Sequence, residues 1–247
     1  MKLNFFKNLK TTIFAIIIVN SFSFATYGFH LEKSQTTIQL GGAANTGNSE
    51  TTNITGSLSS DLEHGKWEYG SDLSGQLATS KGIESARSLK SNANLNYAFS
   101  KAFFWFIKGS VLYDKFATYD FIVREVSGLG RTLIKNKRQL LSLETGPGII
   151  HRRISGINDF QHEPILNISG KYIWHLSKNA EFKQTFTTDV ARLNTHLETT
   201  SAITTKIVKN LALELSFTIN HDTKIPPLSN NRKKTDTASK VTIVYTF

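Results

Sequence analysis

Three residues near position 155 carry side chains that could act together in hydrolysis. His151 could serve as a base, Ser155 as a nucleophile and Asp159 as the carboxylate that orients the base. No serine lies in a GxSxG sequence, and nothing nearby in the sequence would fix the imidazole. A polar loop explains the same residues, so a lipid hydrolase is only a remote alternative. We predict no catalytic residues and no enzymatic activity.

Metal, cofactor and nucleic-acid sites are not expected either. The chain has no cysteine, and its seven histidines lack the spacing of metal ligands. No glycine-rich phosphate loop occurs, so we expect no cofactor. The net charge of +10 would suit nucleic acid, but the basic residues do not gather in one stretch.

Two short basic clusters remain as candidate anion-binding groups. We place both in outer loops of the fold described below, where phosphates of lipopolysaccharide would lie. A merely solvated loop is the simpler explanation of the same residues. The candidate contacts are Arg152, Arg153, Arg232, Lys233 and Lys234.

The first 25 residues have the pattern of a cleaved signal peptide. Lysines at 2, 7 and 10 precede the apolar run 13–19, and small residues Ser23 and Ala25 precede a plausible cut. The apolar run is far shorter than the roughly 20 residues of a membrane helix. We therefore predict a signal peptide at 1–25 and one β-barrel domain at 26–247.

The elements that must position any site are strands, because apolar and polar residues alternate with period two through the remaining chain. We predict about twelve strands (10–14). Their expected bounds are 36–46, 50–63, 66–79, 87–100, 102–115, 120–134, 138–151, 161–175, 180–192, 195–208, 211–222 and 235–247. At 120–134 either Arg124 or Glu125 must face the wrong way, unless a bulge intervenes.

The connections favour a transmembrane antiparallel up-and-down barrel over a soluble sandwich or lipocalin. We expect short turns at one end and longer loops, at 80–86, 116–119, 152–160 and 223–234, at the other, as in outer-membrane barrels. The connections at 47–49 and 193–194 are brief exceptions at the long-loop end. Aromatic residues near the short turns would form a girdle at a membrane interface. The expected location is the outer membrane of a Gram-negative bacterium.

Charged residues fall on the polar faces of these strands and would line the lumen. Acidic residues exceed basic ones there, which predicts mild cation preference if the lumen conducts. Twelve strands leave both a narrow passive pore and a plugged structural barrel open. The candidate lumen charges are Glu68, Asp72, Lys90, Lys108, Asp114, Glu144, Lys171, Lys183, Asp189, Glu198, Lys206 and Glu214.

The chain ends on the alternating residues Val241, Ile243, Tyr245 and Phe247. A final strand that closes a barrel explains this pattern, because an open sheet edge in lipid leaves backbone groups unpaired. The terminal aromatic residue resembles the signal that the barrel assembly machinery recognises in such proteins. Tyr245 and Phe247 are therefore the candidate assembly signal.

Several stretches resemble the salt-induced outer-membrane protein (YdiY-like) family of uncharacterised barrels. They are AANTGNSETTNITGSLSSDLEHGKWEYGSDL, DKFATYDF, GLGRTLI, LETGPG and PPLSNNRKKTDTASKVTIVYTF. The resemblance implies a secreted precursor and a porin-like outer-membrane barrel of unassigned, stress- or salt-related role. The expected partners are outer-membrane lipid, lipopolysaccharide and the assembly machinery, with a monomer favoured.

Overall fold

The computed structural model describes residues 33–45, 51–156, 160–224 and 233–247, which form one closed antiparallel barrel. The predicted signal peptide at 1–25 lies outside these residues. Within the described part, no helix is long and apolar enough to cross a bilayer.

Each strand pairs with its neighbours in the sequence, and the first pairs with the last, so the predicted twelve-stranded up-and-down barrel is confirmed. The strands are β1 (Lys33–Asn45), β2 (Thr51–His64), β3 (Trp67–Ser80), β4 (Ile83–Ala98), β5 (Phe103–Asp114), β6 (Tyr119–Lys135), β7 (Gln139–Ile154), β8 (Phe160–His175), β9 (Ala180–Ala191), β10 (Thr195–Val208), β11 (Leu211–Asp222) and β12 (Thr235–Thr246).

The outer face of the barrel is apolar and exposed, whereas a soluble protein would bury such a surface. Leu40, Ile54, Leu129, Leu215 and Ile243 are each more than half exposed. Aromatic rings collect near one end, where the Trp67 and Tyr97 rings are 4.7 Å apart. This surface has the apolar band and the aromatic edge of a lipid-facing barrel.

The predicted difference between short and long connections is weaker in the structure. The prediction of a long loop at 80–86 is wrong, because only Lys81 and Gly82 join β3 to β4. The φ angles of these two residues are 51° and 76°. Two left-handed residues suit a tight hairpin. The link between β11 and β12, at 223–234, is the longest between consecutive strands. The expected distinction between a short-turn end and a long-loop end therefore depends mainly on this loop and the aromatic edge.

The register resolves the ambiguity at 120–134 and also fixes the facing of the apolar strand β5. Arg124 faces the interior and Glu125 faces outward and is exposed, with register shifts elsewhere in β6. On β5 the outward residues include Trp105, whereas Phe106 is fully buried inside the barrel. Glu125 on the outer face and Phe106 inside the barrel are therefore exceptions to the pattern of apolar residues outside and polar residues inside.

The barrel closes through a short seam. Between β1 and β12 the paired positions run only from Thr37–Thr246 to Gly41–Thr242. The backbone N–H of Phe247 extends the seam by donating to Thr36 O at 2.9 Å. The terminal residue thus adds a hydrogen bond where pairing is shortest.

Candidate functional site in the barrel interior

An ion pair joins opposite walls of the lumen. Lys90 Nζ on β4 lies 3.7 Å from Glu198 Oε2 on β10. These strands are directly opposite in the ring of twelve, so the two side chains together span the lumen. The pair divides the interior into two halves.

The half that contains β5 to β9 is closed by packed side chains. Phe106, Val126, Ile150 and Ile165 form a buried apolar cluster on the inner face of the wall. Phe104 packs beside this cluster. Glycines make room for it: a Cβ at Gly130 would lie 2.1 Å from the Phe104 ring. The wall of this half is packed with the barrel's own side chains.

Two further ion pairs hold the closed half together across strands that are not neighbours. Lys108 on β5 pairs with Glu144 on β7, and both contact Ser169 on β8. Arg124 Nε on β6 lies 2.6 Å from Asp189 Oδ2 on β9, without the alignment of a hydrogen bond. Asp189 is 1% exposed, so this carboxylate depends on its partners inside the wall.

The opposite half, from β11 through β12 to β3, is lined by small polar and acidic residues. The register places Ser57, Ser59, Asp61 and Asp72 on its inner face, together with Glu214 of β11. None of these five is buried. Space for water therefore remains beside this wall.

The register places all the candidate lumen charges on the inner face, but they differ in role. Asp72 accepts a hydrogen bond from Asn92, and Glu214 accepts one from Thr204. Asp114 accepts the backbone N–H of Phe116 and so supports a turn. Four of the candidate lumen charges have exposed side chains: Glu68, Lys171, Lys183 and Lys206.

The expected position of Arg152 and Arg153 in an outer loop is wrong. Strand β7 continues to Ile154, because alternation persists past residue 151. Arg152 is 9% exposed and donates to Glu163 at 2.8 Å, so it neutralises a buried carboxylate. Arg153 faces outward, is partly exposed and makes a bidentate pair with Asp120.

The other candidate residues are not brought together as predicted. Lys233 and Lys234 are exposed, whereas Arg232 lies outside the described residues. His151 Nδ1 is 2.5 Å from His162 Nδ1 on the outer face of β8. Ser155 lies in the turn beyond β7, and Asp159 is also outside the described residues. No three histidine or acidic residues of the described chain are grouped to hold a metal.

The sequence interpretation missed Arg124, Arg152 and Glu163 as interior groups. Each lies on the same inner face as a buried apolar residue two positions away in its strand, such as Val126, Ile150 or Ile165. That alternation was the available signal. Basic residues at the end of a predicted strand suit a loop equally well, which is why composition predicts a loop there.

Comparison with known proteins places the chain in a family. A family model described as "Protein of unknown function, DUF481" matches residues 38–247. The chain belongs to the DUF481 family. This membership agrees with the predicted resemblance to an uncharacterised family of barrels. A search of curated proteins gave no significant match.

Solved structures similar to this DUF481 member are barrels. The NanC porin is 8% identical with a TM-score of 0.50, and the match covers 85% of this chain and 97% of that one. The KdgM porin with oligogalacturonate is 8% identical (TM-score 0.46; 86% and 99% covered). The NalP translocator domain of Neisseria meningitidis is 12% identical (TM-score 0.43; 97% and 96% covered). At these identities the likeness concerns the fold alone.

Proposed function

We propose that this chain spans the outer membrane and forms a narrow passive pore for ions or small polar solutes. The observation that carries the proposal is the asymmetric lumen. The wall of one half is packed with the apolar cluster around Phe106, whereas the half from β11 to β3 has a wall of accessible polar side chains. The apolar outer face supports the membrane location. The proposal treats the protein as a pore and not as an enzyme.

The open half supports a preference for cations. Its inner face carries Asp61, Glu68, Asp72, Glu214 and Asp236. The basic residues on the same strands are Lys33, which pairs with Glu63, and Lys240. A passage lined mainly by carboxylates attracts cations and repels anions.

Current recording from the purified protein in a planar bilayer tests the proposal. We expect small steady currents and, under a KCl gradient, a reversal potential of the sign for potassium selectivity. Replacing Asp72 by Asn and Glu214 by Gln should lower that selectivity. Glu125→Gln is the matched control, because this carboxylate is on the outer face. Absence of current would refute the pore.

A structural barrel that binds lipopolysaccharide is the second candidate. Lys233 and Lys234 are exposed beside the longest connection, and Arg153 is partly exposed on the outer face. Phosphate groups at the outer surface would suit these cations. Arg152 does not belong to this set, because it already neutralises Glu163 inside the barrel.

The lipid-binding proposal is tested by changing Arg153, Arg232, Lys233 and Lys234 together to Gln while Arg152 is kept. We expect less lipopolysaccharide to co-purify with the variant and cells that are more sensitive to detergent. The control changes Lys135 and Lys137, exposed at the opposite end of the barrel. Equal lipid content in both variants would reject the proposal.

A further inference from the structure

A cavity of about 280 Å³ lies inside the lumen between the Lys90–Glu198 pair and the packed wall. It is lined by residues from β4, β5, β6, β8, β9 and β10, so it belongs to the closed half. This volume equals that of roughly nine waters at ~30 Å³ each. A small organic solute would fit.

The charge that faces this cavity is positive, unlike that of the open half. Three basic side chains, Lys90, Lys108 and Arg124, line it, whereas the acidic side chain among its lining residues is Glu198. The partner carboxylates of the other two cations, Glu144 and Asp189, lie outside the lining and are 15% and 1% exposed. The cations thus point into the space and their counter-charges stand behind them.

The basic groups have donors left for a ligand. Lys90 and Glu198 are 3.7 Å apart, which is beyond hydrogen-bond length. Asp189 engages Nε of Arg124, and a guanidinium carries five N–H donors in all. Lys90 is therefore the least tightly held cation of the three, and an incoming anion can replace Glu198 beside it.

The remaining polar lining fits hydroxyl groups. Asn92 already donates to Asp72, and Asn167 already donates to Asp189, so each amide keeps one N–H and its carbonyl oxygen for a ligand. The lining also includes the amide of Asn94 and the hydroxyls of Ser110 and Thr187. A ligand hydroxyl also donates and accepts, so it can pair with either end of such an amide. Val126 provides an apolar surface for carbon atoms.

We propose that this cavity binds a small hydroxylated carboxylate, with its carboxylate between Lys90 and Arg124 and its hydroxyls on the asparagines. Binding displaces Glu198 from Lys90 and so opens the bridge across the lumen. The site does not require that the other half conducts. It is therefore independent of the pore proposed above.

The test is equilibrium binding to the intact barrel in detergent with three probes that share a polyol chain. Gluconate carries a carboxylate, sorbitol is neutral and N-methylglucamine is cationic. We expect gluconate to bind at least about tenfold more tightly than sorbitol, because hydrogen bonds to charged groups are lost in the neutral probe. N-methylglucamine should not compete with gluconate.

Two variants give opposite signs. Lys90→Gln should weaken gluconate binding about tenfold. Glu198→Gln should strengthen it about two- to fivefold, because it removes the group that competes for Lys90. The double variant, Lys90→Gln with Glu198→Gln, has no charge on either side of the bridge. Circular dichroism of this variant shows whether the barrel still folds.

Each outcome decides the proposal. Equal binding of gluconate and sorbitol, or weaker gluconate binding by Glu198→Gln, would overturn it. Gluconate binding by a barrel that carries no current would reject the pore and keep the cavity site. Current through a barrel that does not bind gluconate would reject the cavity site and keep the pore.

Discussion

Replacing Arg124 by methionine tests whether the wall behind the cavity, where Asp189 lies, is dry. Arg124 Nε lies 2.6 Å from Asp189 Oδ2, and the Asp189 side chain is 1% exposed. Methionine retains much of the apolar stem but removes the cation. The hydrogen bond from Asn167 Nδ2 to Asp189, at 2.7 Å, is kept. The variant therefore leaves a buried carboxylate with an amide partner and no counter-charge.

Removing one partner of a buried ion pair costs about 3–5 kcal/mol in the free energy of unfolding. Lys33→Met is the matched control, because the Lys33–Glu63 pair is 74% and 45% exposed. Such a surface pair contributes about 1 kcal/mol or less. We expect the two variants to differ by about 2 kcal/mol or more.

The assay is urea unfolding of the barrel folded in phospholipid vesicles, followed by tryptophan fluorescence. Changing Asp189 to Leu in the Arg124→Met background should recover most of the loss, because the unpaired charge is gone. If Arg124→Met costs no more than Lys33→Met, water reaches Asp189. The description of a packed, dry wall would then be wrong.

Three further changes test local features. Gly128→Ala should prevent assembly of a native barrel, because the new Cβ would lie 2.1 Å from the backbone of the neighbouring strand. Gly109→Ala is the control, because open space surrounds that position and the variant should fold normally. The two variants are compared by the protease resistance of the folded fraction. Deleting Phe247 should lower the free energy of unfolding by about 1 kcal/mol, because the hydrogen bond to Thr36 O is lost. Phe247→Ala is the control, because it retains the backbone N–H that makes this bond. Equal folded yields of the two variants would contradict a role for the backbone contact. Gly82→Ala should lower the free energy of unfolding in urea by about 1 kcal/mol, because the residue has a φ of 76°, which a side chain disfavours. Open space surrounds the site, so the added methyl group itself makes no clash. An unchanged stability would show that the hairpin adapts its backbone.

Much of the fold could be predicted from the sequence, because alternation is a local property. Each strand fixes which residues share a face from its own period of two. The expected strands 195–208 and 211–222 therefore match β10 and β11 at both ends. The errors occur at strand ends near polar residues, as at Lys81 and Arg152, where composition alone does not separate a turn from a strand.

The interior site could be predicted only as a set of residues on one face. The sequence by itself determined that Lys90, Glu198 and Asp189 point inward. It could not pair Lys90 with Glu198, because the two are brought together only when twelve registers are combined around a closed ring. Ring closure also decided which wall of the lumen is packed around Phe106. Partners across a lumen are set by the sum of all strand registers, and no local pattern contains that sum.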